Sequence, residues 1–389
     1  MSKSINIVAE LKEIEYVTKL SVSLEIFEMN KFLSGKLSSK GSFMLKTASD
    51  EYAVSQWVSP KRTRTYPFAR VYDTLSKKNR VTLIPFCKDE GADGDRDFIQ
   101  WDTVSLMSLF NVYVIVGYYT TAEKNTRPNQ IHKNKITKQI FDYAYAGNQF
   151  NELQKYHSSA LHWNLKQMEQ LSSVAECALE AYREICRKTG VRLHGEDGIK
   201  NRITIAKQDA SKFMNMSRQL AQKAQHRETL TDQPKERTIG DKSVITLKNL
   251  LGGQYYWTAD ECFIAHGRVF LIEKKHSKTK VLPSKCDIKD AFIKMALFSN
   301  INNLKLDNTT MPYYATTGLT SDTVRGGLHS KMSDKELNHF FSINKVKEKD
   351  MKLILSAINE AQSNGFGLFI INAKEVAEKQ GHILRKLGA

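Results

Sequence analysis

The chain has 389 residues, with 41% hydrophobic and 10% aromatic side chains, amounts ordinary for a folded globular protein that exclude wholesale disorder. Its length predicts a large core and two or three domains. The 58 Lys and Arg residues outnumber the 42 Asp and Glu residues, which gives a net charge of +16 and a pI near 9.4. This excess favours a nucleic-acid partner over a merely soluble basic protein, because Lys and Arg that neutralise phosphates release condensed counterions.

Cysteine usage and the N-terminus bear on the cellular compartment. The cysteines are odd in number, scattered and free of CxxC spacing, which argues against a disulfide framework or a zinc knuckle. The N-terminal residues mix charges throughout and lack the apolar core of a signal peptide. The best candidate for a membrane span, Val112–Tyr119, has only the length of a strand. We therefore expect a soluble, cytoplasmic protein without a membrane partner.

The first region, residues 1–135, alternates short strand-like runs with charged turns. Val81–Phe86 and Val112–Tyr119 are rich in β-branched and aromatic residues and predict buried strands. Trp101–Phe110 lies between them and has helical spacing, so this part predicts a β-α-β unit. We expect an N-terminal α/β region that takes part in DNA recognition.

The second region, residues 136–235, predicts helices followed by a polar linker. Apolar residues recur at steps of three and four from Thr137 to Lys188, and Gly190 is a plausible helix stop. The segment Ala210–Lys242 carries few apolar residues and contains Pro234 and Gly240, which favours a linker.

The third region, residues 236–389, predicts alternating helices and strands around a central sheet. It contains the feature that bears most directly on function, the stretch Trp257–Ser277 with two short strands. Beside these strands, the predicted helices are Val244–Leu251, Ile288–Phe298, Leu337–Gln362 and Ala373–Leu387, and the predicted strands are Tyr313–Gly318 and Gly367–Asn372.

Within Trp257–Ser277, an acidic pair precedes an apolar run, a turn at Gly267 follows, and a second apolar run leads into Glu273-Lys274-Lys275. Two antiparallel strands joined by this turn would bring Asp260 and Glu273 together, with Lys275 beside them. Two carboxylates and an amine at a strand end can hold a divalent metal ion and a water that attacks a phosphodiester. The alternative is a surface hairpin in which Glu273 and Lys275 form an ordinary solvated ion pair.

This constellation resembles the signature of the PD-(D/E)XK nucleases, with Asp260, twelve residues, and then Glu273-Lys274-Lys275. The loop and amphipathic helix that follow also resemble those of restriction endonucleases. The resemblance covers about Val244 to Asn372 and implies a restriction-endonuclease-like central mixed sheet flanked by helices, with Mg²⁺-dependent hydrolysis of DNA. The residue before the first aspartate is Ala259, where the signature has proline.

The resemblance also implies residue roles. Asp260 and Glu273 would bind the metal through their carboxylates and Lys274 through its backbone carbonyl, while Lys275 would orient or help deprotonate the attacking water and stabilise charge on the phosphate. Glu261 neighbours Asp260 and, by strand alternation, points to the other face. We favour Asp260 as the metal ligand, with Glu261 as the alternative.

Two other segments are candidate sites. The acidic run Asp89–Asp97 does not fit an EF-hand, because position twelve is Gln100, and a solvated loop or pairing with the basic residues upstream is favoured over a metal site or a second carboxylate centre. Those residues interleave cations with aromatics, which suits either DNA readout or a solvated turn. The predicted DNA-binding residues are Arg62, Arg64, Arg70, Lys77, Lys78, Arg80, His276 and Lys278.

From these patterns we expect a type II restriction endonuclease that cuts double-stranded DNA with Mg²⁺. The sequence lacks the phosphate-binding motif of ATP-driven enzymes, which favours a stand-alone enzyme. A palindromic target would make a homodimer the expected assembly. A cognate DNA methyltransferase follows from the family resemblance alone. The alternatives are a repair or mobile-element nuclease of the same superfamily and a non-catalytic basic DNA-binding protein.

Overall fold

The computed structural model describes residues 5–11, 13–208, 210–230, 241–249, 253–265 and 267–388. The strands, in chain order, are β1 (Ile5–Leu11), β2 (Ile26–Glu28), β3 (Ser42–Lys46), β4 (Glu51–Gln56), β5 (Arg80–Pro85), β6 (Cys87–Asp89), β7 (Arg96–Phe98), β8 (Tyr113–Gly117), β9 (Tyr119–Lys124), β10 (Ile136–Phe141), β11 (Asp241–Asn249), β12 (Gln254–Ala265), β13 (Arg268–Ser277), β14 (Ile301–Leu306), β15 (Thr309–Thr310), β16 (Tyr313–Ser321), β17 (Gly327–His329) and β18 (Gly367–Asn372).

The helices, in the same order, are α1 (Met29–Leu33), α2 (Pro67–Thr74), α3 (Trp101–Leu109), α4 (Tyr143–Gln154), α5 (Ala160–Glu169), α6 (Leu171–Thr189), α7 (Asp197–Gln208), α8 (Ala210–Leu230), α9 (Lys285–Phe298), α10 (Asp334–Ile343), α11 (Glu348–Ser363) and α12 (Val376–Gly388), with a 3-10 turn at Ala373–Glu375. The protein is α/β, with mixed sheets and helices packed against them.

The chain divides into two compact units. One, which we call the discontinuous unit, comprises Met1–Ser21 and Leu220–Ala389, and the other, the inserted unit, is Val22–Gln219. This division differs from the predicted regions 1–135, 136–235 and 236–389, because the predicted N-terminal and helical regions form one unit. Pairing between segments far apart in sequence decides such a division, and local patterns do not reveal it.

The inserted unit is built on a five-stranded sheet of order β2-β3-β4-β5-β8. Strands β5 and β8 pair in parallel with α3 between them in the chain, which confirms the predicted β-α-β unit. The short hairpin β6–β7 also lies between them and was not predicted. The aromatic core of the unit includes Phe43, Phe150 and Trp163, all fully buried. Helix α6 ends at Gly190, whose φ of 65° confirms the predicted helix stop.

The discontinuous unit is built on a nine-stranded mixed sheet of order β15-β14-β1-β11-β12-β13-β16-β18-β17. Strands β11, β12 and β13 form an antiparallel meander, and β16 and β18 then continue the sheet in parallel with β13. On one face, α12 packs its apolar residues on Ile272 of β13 and Ile371 of β18. Helix α9 contacts β13 and β16.

The N-terminal strand β1 belongs to this sheet. Ile7, Ala9 and Leu11 are buried and alternate with exposed residues, which is the period of a strand with one covered face. The strand pairs in parallel with β11, and Ile5 lies opposite Ser243. Residues Ile5–Leu11 therefore extend the sheet formed by the C-terminal part of the chain.

Two predictions around the junction between the units are wrong. Val244–Leu251 was predicted as a helix, but β11 covers Asp241–Asn249, because the β-branched run from Val244 to Thr246 favours a strand and alternates buried with half-buried positions. The predicted linker Ala210–Lys242 is helical as far as Leu230, because its Gln, Lys, Arg, Ala and Met residues are good helix formers. Pro234 and Gly240 lie outside the described residues.

The predicted C-terminal elements are present with one difference, and the strands β14, β15 and β17 were not predicted. The strands β16 and β18 and the helices α9 and α12 occur where they were predicted. The predicted helix Leu337–Gln362 is two helices, α10 and α11. The chain turns between them at Lys345, whose φ of 46° cannot continue a right-handed helix.

A buried carboxyl group in the first turn of α3 gives a prediction about stability. Asp102 is 1% exposed, and neither of its oxygens has a hydrogen-bond partner among the described residues. Burial raises the pKa of Asp102 to about 6, and the positive charges of Arg62 and Arg218 oppose that rise. The folded protein therefore binds a proton that the unfolded chain, with a pKa near 3.8, releases.

Because the pKa of Asp102 is higher in the folded state, the protein loses stability as the pH rises from about 4 to about 6. The loss is complete above about pH 6 and absent below about pH 4. We expect Asp102→Asn to stabilise the protein by about 3 kcal/mol at pH 7.5 and to have little effect at pH 4. Scanning calorimetry at the two pH values measures the difference. An equal change in melting temperature at both would contradict this account.

Candidate active site

The predicted hairpin is present. Strands β12 and β13 pair antiparallel from Glu261 opposite Ile272 to Ala265 opposite Arg268. Gly267 lies in the turn with φ 70°, a conformation that glycine adopts without strain. The run from Val269 to Ile272 is fully buried or nearly so, as a strand in the middle of a covered sheet should be.

The hairpin brings Asp260, Glu273 and Lys275 together. Glu273 and Lys275 are two residues apart on β13, so their side chains leave the same face of the sheet. Lys275 Nζ donates to Glu273 Oε1 at 2.9 Å. The backbone N–H of Lys274 donates to Asp260 Oδ2 at 2.7 Å, which attaches the middle of β12 to β13 at the residue between Glu273 and Lys275. The three residues of the signature are thus neighbours in space.

Helix α9 adds two charged residues that the sequence analysis did not single out. Lys294 Nζ donates to Glu273 Oε2 at 2.7 Å, and Asp290 Oδ2 lies 3.6 Å from Lys275 Nζ. The two are four residues apart, so they lie on one side of the helix. The signal that could have identified them is this spacing in an otherwise mostly buried helix, the first helix after Glu273-Lys274-Lys275. We call Asp260, Glu273, Lys275, Asp290 and Lys294 the carboxylate–lysine cluster.

The local sequence fixes where α9 begins and so where this pair lies. Ser284 caps the helix by accepting from the backbone N–H of Asp287, and the Asp287 carboxylate accepts from the backbone N–H of Ser284 in return. This reciprocal capping box starts the helix at Lys285. Buried Ile288 and Phe292 then hold it against the sheet.

The electrostatics of the cluster depend on Glu273, which is fully buried. Burial raises the pKa of Glu273, but the charges of Lys275 and Lys294 and their hydrogen bonds outweigh burial and lower the pKa below its usual value. Burial lowers the pKa of Lys275, but Glu273, Asp260 and Asp290 raise it well above the usual lysine value. Lys275 is therefore protonated at neutral pH and acts as a donor and a positive charge.

The pKa values of Lys294 and Asp290 depend on burial and on the same neighbouring charges. Burial lowers the pKa of Lys294, but the charges of Glu273 and Asp260 raise it above its usual value overall. Burial raises the pKa of Asp290, and the two lysines oppose that rise. Asp260 therefore acts on both lysines, which places it with the cluster.

Glu261, the alternative metal ligand, is not part of the cluster. Its Oε2 accepts from Lys274 Nζ at 2.6 Å and from Gln380 Nε2 of α12 at 2.8 Å. Both members of the ion pair are completely buried. Because Lys274 alternates with Glu273 and Lys275 along β13, this pair lies on the α12 side of the sheet. Asp260 is the carboxylate that joins Glu273.

A β-bulge occurs at the two adjacent acidic residues. Asp241 of β11 lies opposite Cys262, and Ser243 lies opposite Ala259, so Asp260 and Glu261 together face one residue of β11. Bulges disturb the ladder locally and change the direction of side chains, and they are over-represented beside active sites. The bulge therefore lies at Asp260 and Glu261, whose carboxylates bond to different groups of Lys274, the backbone N–H and the side chain.

The oxygen donors of this site are of the chemical type that a magnesium ion prefers. Asp260 and Glu273 supply carboxylate oxygens and Lys274 a backbone carbonyl, and Mg²⁺ prefers oxygen ligands while keeping several waters. Thr317 lies beside Glu273 in the parallel pairing of β13 with β16, and its buried Oγ1 has no partner among the described residues. That hydroxyl could bind a water of the site. In the described part of the chain, no group of three or more His, Cys, Asp and Glu side chains could hold a metal ion.

The predicted DNA-binding residues near the hairpin have different surroundings. His276 has a side chain 9% exposed, with Nδ1 3.1 Å from Thr320 Oγ1 and Nε2 3.6 Å from Asp322 Oδ2. It is therefore engaged within the protein. Lys278 is exposed in the loop after β13, where a phosphate can reach it.

The predicted basic patch of the inserted unit contributes mainly to internal contacts. Arg64 forms ion pairs with Glu90, Asp95 and Asp97. Three carboxylates of the acidic run 89–97 therefore pair with a basic residue upstream, which was one of the two interpretations favoured from the sequence. With three carboxylates around it, Arg64 is poorly placed to read DNA.

The remaining cations of the patch divide into two kinds. Arg70 donates to the backbone carbonyl of Gln56 and Arg80 to that of Leu75, and burial lowers the pKa of Arg80. Arg62 also has a buried guanidinium nitrogen. Lys77 and Lys78 are exposed. A predicted role in DNA contact fits these two lysines better than the arginines, because arginines held by internal partners are costly to redirect.

No protein-family model matches the chain, and comparisons with curated proteins and with solved structures likewise find no match. Among the described residues, none of the helices combines the length and apolar character needed to cross a membrane. The functional conclusion therefore depends on the geometry of the site.

The ion pair on the α12 side gives a prediction about stability. Lys274→Met leaves Glu261 buried without its cation, so we expect a loss of about 3–5 kcal/mol in the free energy of unfolding. The double variant Lys274→Met/Glu261→Leu should recover most of this loss, because it removes both buried charges. Urea unfolding followed by circular dichroism measures the two variants.

The matched control is Lys352→Met, which breaks a pair with Glu348 of the same 2.6 Å length that is largely exposed. Its effect should be small, because solvent screens exposed pairs. A loss in the Lys274 variant no larger than in this control would contradict the structural importance of the buried pair.

Proposed function

We propose that the chain is a Mg²⁺-dependent nuclease of the PD-(D/E)XK superfamily, a type II restriction endonuclease that hydrolyses phosphodiester bonds in double-stranded DNA. The observation that carries the proposal is the convergence of Asp260, Glu273 and Lys275, with the backbone of Lys274 bonded to Asp260. An ordinary surface hairpin would leave Glu273 and Lys275 solvated, but Glu273 is fully buried. Burying a carboxylate is costly unless it is paired, so such groups are commonly functional.

The order of elements supports the same proposal. The meander β11–β12–β13 is followed by α9, by β14 and β15 at one edge of the sheet, and then by β16, which is parallel to β13. This connection places the C-terminal ends of β13 and β16 side by side and sets α9 against them. A restriction-endonuclease-like fold, with a central mixed sheet flanked by helices, is part of the proposal.

In the proposed mechanism, Asp260, Glu273 and the Lys274 carbonyl would hold the Mg²⁺ ion. When bound, the ion would activate a water and neutralise charge that develops on the phosphate. Lys275 remains protonated because of its carboxylate neighbours, so it donates a hydrogen bond to an oxygen that gains negative charge. It therefore orients water and stabilises charge, and it does not act as a base at neutral pH.

Charge supports a nucleic-acid substrate. Each unit carries 29 Lys and Arg residues against 21 Asp and Glu residues, so the excess of eight positive charges is the same in both. Three exposed lysines can contact phosphates directly, because none of them forms an ion pair among the described residues: Lys77, Lys78 and Lys278. The proposal includes a homodimer, because a palindromic target matches two-fold symmetry. It also includes a cognate DNA methyltransferase, which the family resemblance implies.

Glu273→Gln tests the catalytic assignment. The substitution keeps the shape of the side chain but removes the charge that would hold the metal and that Lys275 and Lys294 contact. We expect cleavage of plasmid DNA with Mg²⁺ to fall by about 100-fold or more. Glu375→Gln is the matched control, because Glu375 also pairs with a lysine at 2.8 Å but lies on the 3-10 turn outside the cluster.

The pattern of products distinguishes the alternatives. Discrete fragments from the wild type support a restriction enzyme, and a smear supports a repair or mobile-element nuclease. DNA binding without Mg²⁺-dependent cutting supports a non-catalytic basic DNA-binding protein and contradicts the proposal. Undiminished cutting by Glu273→Gln would contradict the assignment of Glu273 as a catalytic residue that holds the metal.

A further inference from the structure

Two lysines bind one carboxylate in the cluster, whereas the family signature accounts for one. Glu273 Oε1 takes its hydrogen bond from Lys275 at 2.9 Å, and Oε2 takes one from Lys294 at 2.7 Å. Both contacts are made to a side chain without solvent exposure. Each carboxylate oxygen that a metal would use therefore already has a cation beside it.

Lys294 is held in this place by its helix. It lies one turn after Asp290, which contacts the other lysine, and its own side chain is 16% exposed. A divalent ion at Glu273 would meet this positive charge at close range, in surroundings that screen it less than water does.

We propose that Lys294 is a positioning residue that holds Glu273 in place and lowers the resting affinity of the site for metal, so that metal binds well only together with DNA. The inference deepens the proposed function and rests on it. Without DNA, the cluster contains two ammonium groups against three carboxylates, one of which, Asp290, is buried enough to have a raised pKa. A DNA phosphate adds the negative charge that balances a divalent ion, so metal and DNA bind with positive coupling.

The test is calorimetric titration of the full-length protein with Mn²⁺ in the absence of DNA. Lys294→Gln removes the competing charge, and we expect it to bind Mn²⁺ about tenfold or more tightly than the wild type does. Cleavage by this variant should nevertheless be slower, because Glu273 loses the contact that fixes it. Loss of an ordinary structural residue would not increase metal affinity.

Lys379→Gln is the matched control, because Lys379 forms a helix ion pair with Glu375 at 2.8 Å and lies on α12. Its Mn²⁺ affinity should equal that of the wild type. An unchanged or weaker affinity in Lys294→Gln would overturn the inference.

A second measurement needs no variant and applies if Lys294→Gln fails to fold. The wild type is titrated with Ca²⁺ in the presence and absence of duplex DNA, and the affinity should rise at least tenfold with DNA. Equal affinities would overturn the inference. Tighter metal binding by the variant, in a protein that does not cut DNA, would contradict the nuclease proposal and leave the role of Lys294 intact.

Discussion

The fully buried carboxylate of Glu273 sets the main constraint on the discontinuous unit. A carboxylate without solvent exposure is stable in its charged form only if cations or hydrogen-bond donors surround it. Lys275 supplies one such partner from the same strand, and Lys294 supplies the other from α9. The helix must therefore lie where its lysine reaches the strand, so this charge, together with the buried apolar face of α9, constrains the relation between α9 and β13.

The opposite side of β13 is constrained in the same manner. Lys274 is completely buried and pairs with Glu261, and Gln380 of α12 donates to the same carboxylate oxygen. Two charged networks thus hold successive residues of one strand, with α9 on one side and α12 on the other. Between them, the Lys274 backbone is fixed in the position from which it bonds to Asp260. The site is precise because the strand that carries it is held on both faces.

The sequence was sufficient to predict the parts of this arrangement that depend on local pattern. The hairpin, the grouping of Asp260 with Glu273 and Lys275, and the helix after them follow from period-two alternation, a glycine turn and apolar spacing. The role of β1 did not, because its partner is more than 200 residues away. Lys294 and Asp290 were missed because charges on an amphipathic helix are usually solvated, whereas in the structure Lys294 contacts the buried Glu273 and Asp290 lies beside Lys275.

For the basic patch of the inserted unit, the sequence predicted a function that the internal contacts of its arginines do not favour. Arg64 and its neighbours have the composition of a DNA-reading surface, yet the acidic run that follows them neutralises Arg64 within the inserted unit. Composition reveals which charges exist, but only the fold determines which of them are already paired. The positive charge available to a polyanion is therefore smaller and differently placed than the sequence indicates.

The central claim is that Asp260 and Glu273 form one metal site on one face of the sheet. A crystal soaked in Mn²⁺ together with duplex DNA, measured at a wavelength where manganese scatters anomalously, tests this claim directly. We predict an anomalous peak about 2.0–2.3 Å from one oxygen of Asp260, one oxygen of Glu273 and the Lys274 carbonyl. A peak at Glu261 instead, or well-ordered DNA at the cluster without any peak, would contradict the account.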